Sequence, residues 1–113
     1  MNNDTCLPFQ RLDIYKAAKQ LARRVHEARI RDAELRDQAT RASKSTFLGL
    51  CEGLPSDAPG IRRRHFDIAN NSLHEVIGAI DLAEVIGALD ADVAQGILSL
   101  ATRIKRMIRA LPR

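Results

Sequence analysis

Two of the four helix-like segments in this chain of 113 residues are apolar on more than one side, and this limits what the chain can fold into. Over residues 33–52, Leu35, Ala39, Ala42, Thr46 and Gly49 recur at three- and four-residue steps, the spacing of one helix face. Phe47, Leu48 and Cys51 point away from that face. Over residues 60–86, Phe66, Ala69, Leu73, Val76, Ile77, Ile80 and Ala83 form one stripe. Ile61, Ile68, Ser72, Ala79, Leu82 and Ile86 form a second, roughly opposite at 100° per residue. A helix that is apolar all round is buried all round. Within one small bundle a single stripe can face the neighbouring helices, so the other requires a second copy of the chain. The pattern therefore predicts self-association through Phe47, Leu48, Cys51, Ile61, Ile68 and Leu82.

The flanking segments are simpler. Over residues 11–29, Ile14, Ala18, Leu21, Ala22 and Val25 make one buried stripe, with Lys16, Lys19, Gln20, Arg23 and Glu27 opposite. Over residues 91–111, Val93, Ile97, Leu100, Ile104, Met107, Ile108 and Leu111 make another, and Thr102, Arg103, Arg106, Arg109 and Arg113 gather on the far side. Asp32 is placed to cap the second helix, and Asp90 or Asp92 the fourth. Gly53 followed by Pro55 ends the second helix, and Gly87 ends the third. Four amphipathic helices with short connections predict an all-α, antiparallel up-down-up-down four-helix bundle filling residues 1–113 as one domain. Aromatics are only 4% of the chain, so its core is built from Leu, Ile, Val and Ala.

Catalytic and metal constellations are missing from the sequence. No glutamate is followed three residues later by histidine, as di-iron bundles require. The two cysteines, Cys6 and Cys51, are far apart, and there is no His-x-x-x-His pair or glycine-rich phosphate loop. Neither metal nor cofactor is expected, and Cys51 reads as a small packing residue. His26, His65 and His74 read as solvated side chains, and Asp67, Asn70, Asn71 and His74 as a wet face of the third helix. Glu52 and Glu75 lie beside small or apolar positions, where an unpaired carboxylate is costly. A buried polar cluster of Gln38, Arg41, Ser45, Glu52, Ser72 and Glu75 is expected, with Arg41 and Gln38 satisfying the two acids. An enzyme or small-molecule site would need an enclosed pocket near Glu52, Glu75 and Arg41. No apolar run approaches the roughly 18–20 residues that span a bilayer. Residues 1–4 lack the charged start and apolar middle of a signal peptide, so a cytoplasmic protein is expected.

The net charge of +4 is compatible with a polyanionic partner. Lys16, Lys19 and Arg23 on the first helix, and Arg103, Arg106 and Arg109 on the fourth, are the candidate contacts. Cations late in a helix also suit its negative end, which explains the second set equally well. The run Arg62-Arg63-Arg64-His65 points in four directions and has no interleaved aromatic, so it reads as a solvated face.

The segments Phe9–Ala18 (FQRLDIYKAA), Gln38–Gly53 (QATRASKSTFLGLCEG) and Phe66–Glu75 (FDIANNSLHE) resemble a family of bacterial four-helix-bundle proteins. These are encoded in intervening sequences of large-subunit ribosomal RNA genes, and the accessory variability protein of diversity-generating retroelements is a relative. The most specific elements are Arg41-Ala42 with Ser45, the Glu52-Gly53 pair, and Ala69 with Ser72 and Glu75. Gly49, Leu50-Cys51 and Asn71 depart from the usual Asn, Ile-Ala and Gly. The resemblance implies a ring-shaped homopentamer. With the charge pattern, it leads us to expect a non-enzymatic scaffold binding RNA, DNA or a nucleoprotein. The alternative is a protein–protein adaptor that binds no nucleic acid.

Overall fold

The computed structural model describes residues 6–112, so the reading of residues 1–4 and the position of Arg113 lie outside it. Four helices, α1 (Asp13–Glu27), α2 (Ala33–Gly53), α3 (Pro59–Val85) and α4 (Ala91–Arg109), make an all-α fold with no strand among the described residues. The expected start of the first helix near residue 11 moves to Asp13. Pro8–Arg11 forms a separate 3₁₀ turn, and Leu12 is extended (φ −69°, ψ 141°), which breaks the two apart. Asp32 caps α2 as expected, its carboxylate accepting from the Leu35 N–H at 2.9 Å. Asp90 occupies the N-cap position of α4, but its carboxylate accepts from Arg31 at 3.2 Å instead of from its own helix.

The core is mainly aliphatic, with the Phe66 ring fully buried within it and Tyr15 buried at its edge. Leu21, Leu50, Phe66, Leu73, Ile80 and Ile104 are fully buried. α2 packs on α1 and α3, and α4 on α3 and α1, so each helix has two neighbours. The tightest pair is α2 with α3. Ser45, Thr46, Gly49 and Gly53 on α2 meet Ser72, Ala69 and Phe66 on α3, in opposite chain senses. A β-carbon at Gly53 would fall 2.7 Å from the Phe66 ring, and one at Gly49 only 3.1 Å from the His65 carbonyl oxygen. The small residues that mark this stripe in the sequence are thus what lets the two helix backbones meet.

Backbone conformations that L residues resist end two helices. Arg29, after α1, has φ 53°, and Gly87, after α3, has φ 78°. The two turns are stitched together: the Arg31 N–H donates to the Ala88 carbonyl at 2.9 Å, and its guanidinium to the Gly87 carbonyl at 3.0 Å. At the other end of the bundle, Arg62 folds back over the end of α2. It donates to the carbonyls of Leu54 (2.8 Å), Ser56 (3.1 Å) and Gly53 (3.4 Å), reaches Pro112 (3.3 Å), and lies 5.0 Å above the Phe66 ring. A cation here meets the negative end of the α2 dipole and its unpaired carbonyls.

Candidate functional site

The outward face of α2 and α3 carries large apolar side chains that the chain leaves in water. Leu48 is 56% exposed, Ile61 50%, Ile68 40% and Leu82 49%. Ile86 and Val85, at the end of α3, are also exposed. Leu48 and Ile68 line an open groove of about 700 Å³ between the helices, rimmed by Arg41, Lys44, Glu52, Arg64 and His65. Phe47 and Cys51, expected on the same face, sit elsewhere. Phe47 packs against the core with its ring centroid 5.0 Å from that of Tyr15, which itself meets Phe9 edge-on at 5.6 Å. One residue is a 100° step on a helix, and that step carries Phe47 away from Leu48 and onto α1. Its apolar surface already has a partner inside the chain.

The expected buried polar cluster divides. Ser45 and Ser72 do meet, hydroxyl to hydroxyl at 2.8 Å, at the α2–α3 seam. Gln38 is half-buried, whereas Arg41 and Glu75 are exposed. Glu52 is exposed too, and its partner is His65 Nδ1 at 3.0 Å, not Arg41. Because the face lies open in a single chain, the acids remain solvated and need no cation across the core. His65 therefore has a structural neighbour that its reading as a solvated side chain missed. His74 likewise has a neighbour, its Nε2 lying 2.9 Å from Lys105 Nζ. The Cys51 thiol is pushed above its usual pKa, first by burial and then by the Glu52 carboxylate, with Lys19 opposing. A disfavoured thiolate fits a packing residue better than a nucleophile. Among the described residues, no group of His, Cys, Asp and Glu side chains could hold a metal ion.

The cations sort into engaged and unengaged groups. Lys16 and Arg103 flank one open groove of about 450 Å³ between α1 and α4, with Asp13, Gln20 and Met107. Arg106 and Arg109 lie exposed in the last turn of α4. Lys19 instead sits over the Tyr15 ring (5.7 Å), and Arg23 pairs with Glu27 along α1 (3.0 Å). The arginine run also divides: Arg62 is held by the end of α2, while Arg63 and Arg64 are exposed. The contact from Arg62 to Pro112 places the run at the same end of the bundle as the last turn of α4. Sequence reasoning passed over Arg63 and Arg64 because nothing local distinguishes them from a solvated run.

No helix among the described residues is long and apolar enough to cross a membrane. No curated protein matches the chain. A family model described as 23S rRNA-intervening sequence protein matches residues 10–110, nearly the whole length and all four helices. On that match the chain belongs to the 23S rRNA-intervening sequence protein family.

Proposed function

We propose that this protein is a non-enzymatic scaffold: an up-down-up-down bundle that associates with copies of itself through the outer face of α2 and α3. In this reading it holds RNA, DNA or a nucleoprotein on a basic surface. The observation that carries the first half is the exposure of Leu48, Ile61, Ile68 and Leu82 on helices whose opposite faces already fill the core. The family resemblance implies five copies in a ring. Support for the second half is the set of exposed cations Lys16, Arg103, Arg106 and Arg109, joined by the exposed Arg63 and Arg64 at the same end. Lys19 and Arg23, bound up on α1, take a smaller share. Several copies multiply weak phosphate contacts through effective concentration. Two cysteines outside any disulfide accord with a cytoplasmic setting.

Light scattering and salt-dependent RNA binding test the two halves separately. Leu48→Asp places a charge in the contact and leaves the core untouched, so it releases lower-mass species while helicity is retained. An unchanged large species refutes the assembly. Arg103→Glu with Arg106→Glu abolishes low-salt RNA binding. Binding that survives, or its absence in the wild type at low salt, refutes the polyanion reading and leaves an adaptor for an acidic protein.

A further inference from the structure

The cations of α3 and α4 are confined to one pole, because neither lysine nor arginine occurs between Arg64 and Arg103. Arg103, Arg106 and Arg109 follow at three-residue steps, and each step turns about 60° back around the helix. They therefore cross the outside of α4 diagonally while rising about 9 Å along it. Arg103 starts on the α1 side, where it lines an open groove with Lys16. The α3 side of α4 is marked by Lys105, whose Nζ lies 2.9 Å from His74 Nε2, and Arg109 is turned about 40° from Lys105. On α3, Arg63 falls within about 20° of the His74 direction. The bond from Arg62 to Pro112 brings it level with the end of α4. Lys16, Arg103, Arg106, Arg109 and Arg63, all exposed, thus make one band across three helices. Asp13 shares the groove with Lys16, and Asp67 follows Arg63 by one turn, so cations remain in excess.

The band has charge and no stacking surface. Phe9 meets Tyr15, Tyr15 meets Phe47, and Phe66 is buried beneath Arg62, which uses all four aromatic rings of the chain. Thr102, beside the arginines, turns its hydroxyl back to the Leu98 carbonyl of its own helix at 2.8 Å. Proteins that hold single strands combine a cationic groove with rings on which the bases stack. A double helix keeps its bases stacked on one another and carries twice the phosphate density of one strand, so charge alone suffices to hold it. We infer that the polyanion taken by this band is a double helix, gripped by its sugar–phosphate backbone without reading its sequence. This rests on the polyanion reading proposed above and adds the strandedness of the nucleic acid. Arg63 lies about 100° round α3 from Leu82, and α4 is outside the face proposed for self-association, so assembled copies keep the band open.

Fluorescence anisotropy at about 50 mM salt tests this with three probes of about 20 nucleotides per strand: a DNA duplex, an RNA duplex of unrelated sequence, and single-stranded oligouridylate. Both duplexes bind at least tenfold more tightly than the oligouridylate. Their affinity falls with salt, and Arg106→Gln with Arg109→Gln flattens the log–log slope by about 2 for each copy engaged. The double variant keeps the wild-type helicity by circular dichroism and the wild-type mass by light scattering. Oligouridylate that binds as tightly as the duplexes overturns the double-helix assignment and leaves the polyanion reading standing. Failure of all three probes to bind overturns both. A slope that the double variant leaves unchanged overturns the band as the site of contact.

Discussion

Arg62 and Arg63 are adjacent, identical residues, yet the structure gives them unequal roles. Arg62 makes two short bonds to the carbonyls of Leu54 and Ser56, two longer ones to Gly53 and Pro112, and a cation–π contact with Phe66. Net of competition with water, each short bond contributes about 0.5–1.5 kcal/mol. The cation–π contact at a partly exposed site adds about 0.5–1 kcal/mol. Arg62→Ala therefore costs about 2–3 kcal/mol. With an unfolding entropy near 0.24 kcal/mol/K for a chain of this size, the melting temperature falls by about 8–12 °C. Arg63→Ala, at an exposed position, stays within about 0.5 kcal/mol. Arg62→Lys keeps the charge but not the fork and recovers only part of the loss. Thermal melts followed at 222 nm, at one protein concentration so that assembly does not shift the midpoint, compare the three. Equal losses for Arg62→Ala and Arg63→Ala would refute the argument that the guanidinium closes the end of α2.

Three further outcomes follow from local geometry. Gly53→Ala forces the buried Phe66 ring aside and destabilises by about 1–3 kcal/mol, read as a lower urea midpoint at unchanged slope. Arg29→Gly relieves a left-handed backbone at a non-glycine residue and raises stability by about 0.5–1 kcal/mol in the same titration; a loss would contradict it. The Cys51 thiol is favoured over its thiolate by the fold, so its share of stability is intact below the ordinary value of 9.0 and is lost as pH rises beyond it. Cys51 in the Cys6→Ser background therefore reacts with iodoacetamide at pH 8 more slowly than a free cysteine, and a faster reaction would show that the thiol is activated.

Much of the fold was legible because side-chain spacing alone assigns a helix face. The stripe on α1 and the small residues on α2 lie inward, as does the α4 stripe apart from the exposed Val93, and the breaks at Gly53 and Gly87 fall where expected. The site was less legible, because spacing does not say which outward sector a neighbouring helix covers. Phe47 and Leu48 look equivalent in the sequence, yet α1 covers one and leaves the other exposed. Arg41 and Gln38 are the cation and the amide that the sequence offers to Glu52 and Glu75 across the bundle, whereas the turn after Gly53 brings His65 to Glu52. Arg62 shows the same difficulty: an arginine among arginines reads as surface until the path of the loop before it is known.

Both ends of the described chain gather at one pole. Pro8 and Phe9 lie against Leu54 and Pro55, and Pro112 is held by Arg62. A bulky label attached beside Phe9 or Pro112 would therefore stand next to the arginine run and shade the surface proposed for polyanions. The opposite pole, where Arg31 joins the two turns, offers a cleaner attachment point for immobilising the protein in a binding experiment.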